Sequence, residues 1–364
     1  MPFPLPTPDP PLPLPLPPSV LKALLLGTFT LHLLAVNLGV GGAVLAATHA
    51  LRGRPEDREL VGRVAPLLPA AVTFTINLGV APLLFVQLLY GDFFYTASVL
   101  TAFPWLALVA LLMAGYLLLY RFVGAVTAPV PRAGAGLLGA LLLLAVGLLL
   151  VNVTTLSLRP DLWLAQAAAS PRGLRLNTLD PTLWPRFLHQ AAGILASAGL
   201  FLAGWGAWRD HGYARRVGLR WFLGATASQL LWGTWLLVRQ PGPLLDVLLG
   251  GTAPASLALW CSVACGALGL FMAIPASERD APARAAWAPL GLGAAAVLGM
   301  SLLREQLREA SLAAAGFRAG DLPHRTDWPA LGLFSVAFLG VAALLLLLRR
   351  WASQLVGGPG QGAP

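Results

Sequence analysis

The chain has 364 residues, 57% of them hydrophobic and only 11% charged, and its mean hydropathy is +0.74. A soluble domain of this length does not hide so much apolar surface, so the composition excludes that class and indicates a polytopic membrane protein. All 24 basic residues except Lys22 are arginine, and the net charge of +9 suits anionic lipid head groups at loops and helix ends rather than nucleic acid.

The chain opens on "MPFPLPTPDPPLPLPLPP", ten prolines in 18 residues with no basic residue, which reads as a flexible polyproline-like tail rather than a signal peptide. Runs of about 20 apolar residues, the length that crosses a bilayer as a helix, then predict nine spans. They lie at 20–48, 66–90, 94–121, 135–157, 186–208, 218–238, 254–275, 285–304 and 330–348. Backbone groups in lipid must be satisfied internally, so the expected fold class is an all-α membrane helical bundle over 19–350, followed by a flexible C-terminal tail at 351–364. Between the fourth and fifth spans, "PDLWLAQAAAS" predicts a short interfacial helix. Loops on one side of these spans carry 14 basic residues against 10 on the other, which places the N-terminus outside and the C-terminus in the cytoplasm. Cys261 and Cys265, four apart in an apolar run, read as packing residues, and no CxxCH motif for covalent haem occurs.

Ionisable residues inside spans are the informative ones, because each is costly in lipid. His32, in "FTLHLLAVNLG", is about a dozen residues into the first helix, and His189, in "TLWPRFLHQAAGILASAGLFLAGWGAW", is near the start of the fifth. Each is read as an axial ligand to haem iron, against the alternatives of a neutral core histidine at His32 and an interfacial one at His189. His49, His211 and His324 are read as solvated. In "MSLLREQLREA", Arg304 and Arg308 share a helix face at the level of the two histidines, where they are placed to pair with haem propionates or to snorkel. Met300 is a candidate sixth ligand, with apolar packing as its alternative. No Asp or Glu is expected well inside any span.

Three of these segments resemble subunit I of the cytochrome bd quinol oxidases. "WPRFLHQAAGILASAGLFLAGWGAW" is similar to that family's fifth helix, whose histidine ligates the low-spin haem b, and "HLLAVNLGVGGAVLAA" resembles its first helix, which carries another haem-ligating histidine. "FTINLGVAPLLFVQLLYG" resembles its second-helix signature. The resemblance covers about residues 25–240. It implies one or two b-type haems on His32 and His189, quinol or quinone as redox partner, with Asn77 and Gln87 as weak candidates for contact, and a bacterial cytoplasmic-membrane location. The sequence departs from the family where Gln87 replaces a glutamate, where the third helix has no acid after Asp92, where the external loop after the sixth helix shrinks to 239–253, and where the seventh helix offers no methionine ligand. With proton carriers missing, the expected function is electron transfer between the quinone pool and a partner, a c-type cytochrome or a second membrane subunit, rather than oxygen reduction. The alternative is a cofactor-free transporter, suggested by the Gly and Pro of "NLGVAP" in the second helix.

Overall fold

A computed structural model describes residues 13–124 and 133–356, so most of the proline-rich tail and residues 357–364 lie outside the described residues. The described chain is a membrane helical bundle. Its elements are α1 (Pro18–Val36), α2 (Gly42–Arg52), α3 (Pro55–Val64), α4 (Leu68–Leu100), α5 (Ala102–Gly124), α6 (Ala133–Ser157), α7 (Trp163–Ala169), α8 (Leu183–Trp208), α9 (Gly212–Val238), α10 (Gly242–Asp246), α11 (Ala253–Ala276), α12 (Trp287–Ala314) and α13 (Trp328–Val356). Seven helical stretches are long and apolar enough to cross a bilayer. Helices α9 and α13, of 27 and 29 residues, are not among them. In α9 the first turns carry Arg215, Arg216 and Arg220, which lower its hydropathy.

The chain divides into two units. The smaller combines the N-terminal segment up to Val20 with Gly320 onwards; in it Leu14 bridges His324 through paired backbone hydrogen bonds and α13 follows. The larger, Leu21–Ala319, holds the remaining bundle and every residue discussed below as a site.

Two element boundaries and one suspected interruption differ from the sequence expectation, each for a local reason. The second predicted span does not stop at residue 90: α4 continues to Leu100, with Tyr90 leaving helical geometry at φ −138° and ψ 27° to make a kink. Pro82 sits inside α4 without breaking it, so "NLGVAP" is continuous helix. Finally, α12 extends ten residues beyond the predicted end at 304, to Ala314. Its last turns are amphipathic rather than apolar, so a hydropathy window loses them. The predicted interfacial helix is present as a 3₁₀ turn at Pro160–Leu162 leading into α7. Beside it Arg159 donates to Asp161, and this pairing holds the Asp161 carboxyl below its ordinary range.

Close packing rests on small residues, because in lipid apolar side chains gain nothing by leaving the hydrocarbon and helices associate by close approach instead. Gly115 of α5 and Gly139 of α6 face each other's carbonyls: a Cβ on either would lie 3.2 or 3.0 Å from the other's oxygen. The α8–α9 crossing is tighter. A Cβ at Gly199 would be 2.6 Å from the Gly218 oxygen, and one at Gly218 would be 2.4 Å from the Ala203 nitrogen. A π-turn at Asn37–Gly41 joins α1 to α2, and a Cβ at its Gly41 would be 2.6 Å from Ala198 Cβ of α8.

The crossing gives the first prediction. Gly218→Val drives a side chain into the backbone of α8, which has no means of yielding, and the expected cost is about 3 kcal/mol or more. Thermal unfolding in detergent, followed by circular dichroism, should show a large fall in Tm, whereas Gly224→Val on the same helix, where a Cβ meets nothing within 4 Å, should not.

Candidate functional site

The site is built by two histidines held in the same way on different helix pairs. His32 projects from α1 toward α4, and its Nδ1 donates to the Thr75 carbonyl at 2.9 Å. One turn beyond Thr75 stands Gly79, where a Cβ would lie 2.9 Å from the imidazole ring. His189 projects from α8 toward α9, and its Nδ1 donates to the Gln229 carbonyl at 3.1 Å. One turn beyond Gln229 stands Gly233, where a Cβ would lie 3.0 Å from the ring. The repetition has a physical basis. A helical carbonyl is already engaged by the N–H four residues on, so only its second lone pair remains, and a side chain at that later residue blocks the approach to it. Glycine at that position lets the imidazole settle against the helix. Donation at Nδ1 in turn fixes the tautomer and leaves Nε2 with its lone pair and no protein partner among the described residues.

Guanidinium groups occupy the region between the histidines. Arg304 of α12 lies over the Phe29 ring of α1 at 4.1 Å and has no ion-pair partner among the described residues. It is within electrostatic reach of His32 and of Arg186. Arg186 stands one turn before His189 on α8, makes only a long 3.5 Å contact to Thr182 Oγ1, and has a buried Nε without an acceptor. It is also within reach of Arg304 and His189. Arg308 differs: it donates to Glu305 at 2.5 Å, with Tyr90 of α4 donating to the other Glu305 oxygen at 2.8 Å and the Arg308 head 4.9 Å from the Tyr90 ring centre. Arg304 feels Glu305 and Arg186 feels Asp180 electrostatically, but neither guanidinium makes an ion pair among the described residues. Buried unsatisfied charge is expensive, and an arrangement of this kind is suited to an anionic group with two or more oxygens.

Glu305 lies in α12 one residue past the predicted span end at 304, and its side chain is 12% exposed. Arg186 is the site residue that sequence reasoning passed over, although it is visible three positions before His189 in "WPRFLHQ". The structure does not gather every candidate. Met300 packs against an apolar cluster of Leu248, Ala255, Leu259 and Leu303, which is the packing alternative. Asn77 is exposed on α4, and Gln87 is half-buried ten residues further along the same helix. Cys261 and Cys265 are free, the first exposed and the second half-buried.

At the arginine-rich end of the bundle, His49 is buried, not solvated. The indole N–H of Trp221 donates to its Nε2 at 3.0 Å, so the ring carries its proton on Nδ1 and donates it to Asp57 Oδ1 at 2.5 Å. Tyr213 donates to the same oxygen at 2.5 Å. This network ties α2, α3 and α9 together. The expectation of a solvated histidine failed because it rested on the neighbouring charges of "RGRPEDR", whereas α3 folds back and covers the ring. His211 caps α9 by accepting from the Ala214 N–H at 3.2 Å, and His324 is exposed.

No protein-family model and no curated protein sequence matches the chain. Its fold is that of a bd oxidase chain from Geobacillus thermodenitrificans, with a TM-score of 0.68 and 12% sequence identity, covering 94% of this chain and 99% of the other.

The buried His49 network yields a prediction that needs no ligand. Asp57→Ala leaves the Nδ1–H of His49 and the hydroxyl of Tyr213 without an acceptor in an apolar interior, at an expected cost of about 3 kcal/mol. Tyr213→Phe removes one donor and leaves Asp57 bonded to His49, at about 1 kcal/mol. Denaturation midpoints of the two variants in one detergent should fall in that order.

Proposed function

We propose that the chain is a membrane b-type cytochrome with the bd-oxidase fold, transferring electrons between the quinone pool and a partner membrane subunit, with His32 and His189 each ligating a haem iron. The observation that carries this reading is the paired device of imidazole, helix carbonyl and glycine. Histidines that ligate metals usually donate the second ring N–H to a carbonyl or carboxylate, which orients the ring and presents the other nitrogen. Both histidines meet that description.

Arg304 and Arg186 fit the acidic edge of the same group, since haem carries two propionates and guanidinium pairs with carboxylate through two parallel bonds. Arg308 is already satisfied by Glu305 and contributes by holding α12 against Tyr90 rather than by binding. A bound haem would supply one-electron chemistry. The protein's part would be to hold the imidazole rings, neutralise the propionates and keep water from the apolar faces. In this reading the bundle has nine spans, the seven long apolar helical stretches together with α9 and α13, with the N-terminus outside a bacterial cytoplasmic membrane. An external c-type cytochrome as partner has no observation in its support.

Electron transfer is proposed in preference to oxygen reduction because reduction of oxygen to water consumes protons. Glu305, beside Arg304 and Arg308, is bound by Tyr90 and Arg308, and α4 carries the neutral Gln87. The permease alternative loses its motive, since the stretch that suggested a broken helix is continuous through Pro82.

A reduced-minus-oxidised spectrum of the purified chain tests the first step: a b-type haem band is expected, and a colourless protein from haem-replete cells would overturn the proposal. His189→Ala should remove the low-spin signal while the protein still inserts. Gly233→Val should weaken the same signal by displacing the ring, and Gly224→Val should leave it unchanged. An oxygen electrode with a soluble quinol should record little cyanide-sensitive uptake; vigorous uptake abolished by His32→Ala would assign the chain to the oxygen-reducing enzymes instead.

A further inference from the structure

A cavity of about 360 Å³ opens between α2, α3, the first turns of α4 and the second half of α8, toward the arginine-rich end of the bundle. Its walls are almost wholly apolar, with Leu38, Ala46, Leu67, Phe74, Phe201 and Trp205 among them. Leu67 and Phe74 are each 63% exposed and Leu38 47% exposed, so one side faces the hydrocarbon. The lining also holds Arg63 and the edge of His49, whose ring nitrogens are engaged by Trp221 and Asp57.

We infer that this cavity holds one acyl chain of an anionic phospholipid, with the phosphate seated at Arg63 and the exposed arginines beside it. Three observations converge on that occupant. An apolar cavity of this size does not retain water, and its volume admits about twelve groups the size of a water or methylene. Its mouth lies at head-group level: Trp208, one turn beyond Trp205 on α8, is 68% exposed and carries the Arg209 guanidinium on its ring at 4.3 Å, the pairing expected where a helix leaves the bilayer. Helices α2 and α3, which line the cavity, are cationic on their exposed surface, because Arg52 ends α2, Arg54 precedes α3 and Arg58 lies in α3, all exposed and without ion pairs among the described residues, while Asp57 is withdrawn into the network with His49 and Tyr213. Glu59, paired with Arg63 at 2.9 Å, competes there for the phosphate.

The energetics say where selectivity must reside. An acyl chain leaving bilayer hydrocarbon for an apolar groove gains no hydrophobic free energy, so the cavity accepts any lipid and the arginines choose among head groups. A neutral isoprenoid quinone would fit the walls but make no use of the rim. The inference is independent of the haem proposal, since neither His32 nor His189 lines the cavity.

Native mass spectrometry of the full chain decides the matter, with phosphatidylglycerol and phosphatidylcholine of identical acyl chains titrated separately. The wild type should hold one phosphatidylglycerol in preference to phosphatidylcholine. Arg63→Gln should weaken phosphatidylglycerol binding about fivefold, the effect of one basic side chain at an anionic lipid surface, and leave phosphatidylcholine unchanged. Glu59→Gln should strengthen phosphatidylglycerol binding. Leu38→Trp, at an exposed position where added bulk fills the cavity without disturbing the core, should weaken both lipids alike. Equal retention of the two lipids by the wild type, indifference to Arg63→Gln, or co-purification of a quinone in place of either lipid would each overturn the inference.

Discussion

A helical carbonyl in lipid is already used once, and everything distinctive in this bundle follows from where the chain lets a carbonyl be used a second time. At Thr75 and at Gln229 an imidazole takes the remaining lone pair, and at each the residue one turn on is glycine. That arrangement holds two half-buried imidazole rings against helix backbones without spending both ring nitrogens. It also dictates geometry: α1 must approach α4, and α8 must approach α9, closely enough for a short side chain to reach a backbone. The glycines that line the α8–α9 crossing serve the same end, since the approach that gives Gly199 and Gly218 no room for a Cβ also brings His189 to Gln229.

Charge is organised on a second principle. At the arginine-rich end, the acid most deeply buried is Asp57, and it is spent within the protein on His49 and Tyr213. Near the histidines the reverse holds: Glu305 is bonded to Arg308, and Arg304 and Arg186 make no ion pair among the described residues. A bundle selected only for stability would be expected to pair or remove such groups, because replacing buried ions by apolar side chains is frequently neutral or favourable. Their retention beside two imidazoles with open nitrogens is what turns a packing description into a functional one. The same asymmetry governs the cavity at the opposite end, where the protein supplies walls without preference and cations with it.

Likeness of fold to a bd oxidase at 12% identity fits a picture in which helix–helix geometry persists while side chains diverge. The segments that resemble that family in the sequence carry the two histidines and the small residues of α8, and the departures fall on Gln87 and on the short stretch around α10. Fold alone does not assign chemistry, and the functional reading therefore rests on side-chain arrangement.

The sequence by itself determined the class and the helical architecture, because twenty-residue apolar runs have one backbone solution in lipid, and it singled out His32 and His189 because an imidazole is conspicuous against such runs. Span topology also put Arg304 at their level, and helical spacing put it on one face with Arg308. Only the tertiary structure decided which polar groups are spent and which are left over. Arg308 and Arg304 are indistinguishable by spacing, yet one meets Glu305 and the other Phe29. Nothing in "RGRPEDR" says that α3 will fold back to bury His49 against Asp57, and nothing around Met300 says that its neighbours will be Leu259 and Leu303. Hydropathy reports the cost of placing a residue in lipid; whether a partner from a helix two hundred residues away meets that cost, as Tyr90 does for Glu305, is settled only when the helices pack.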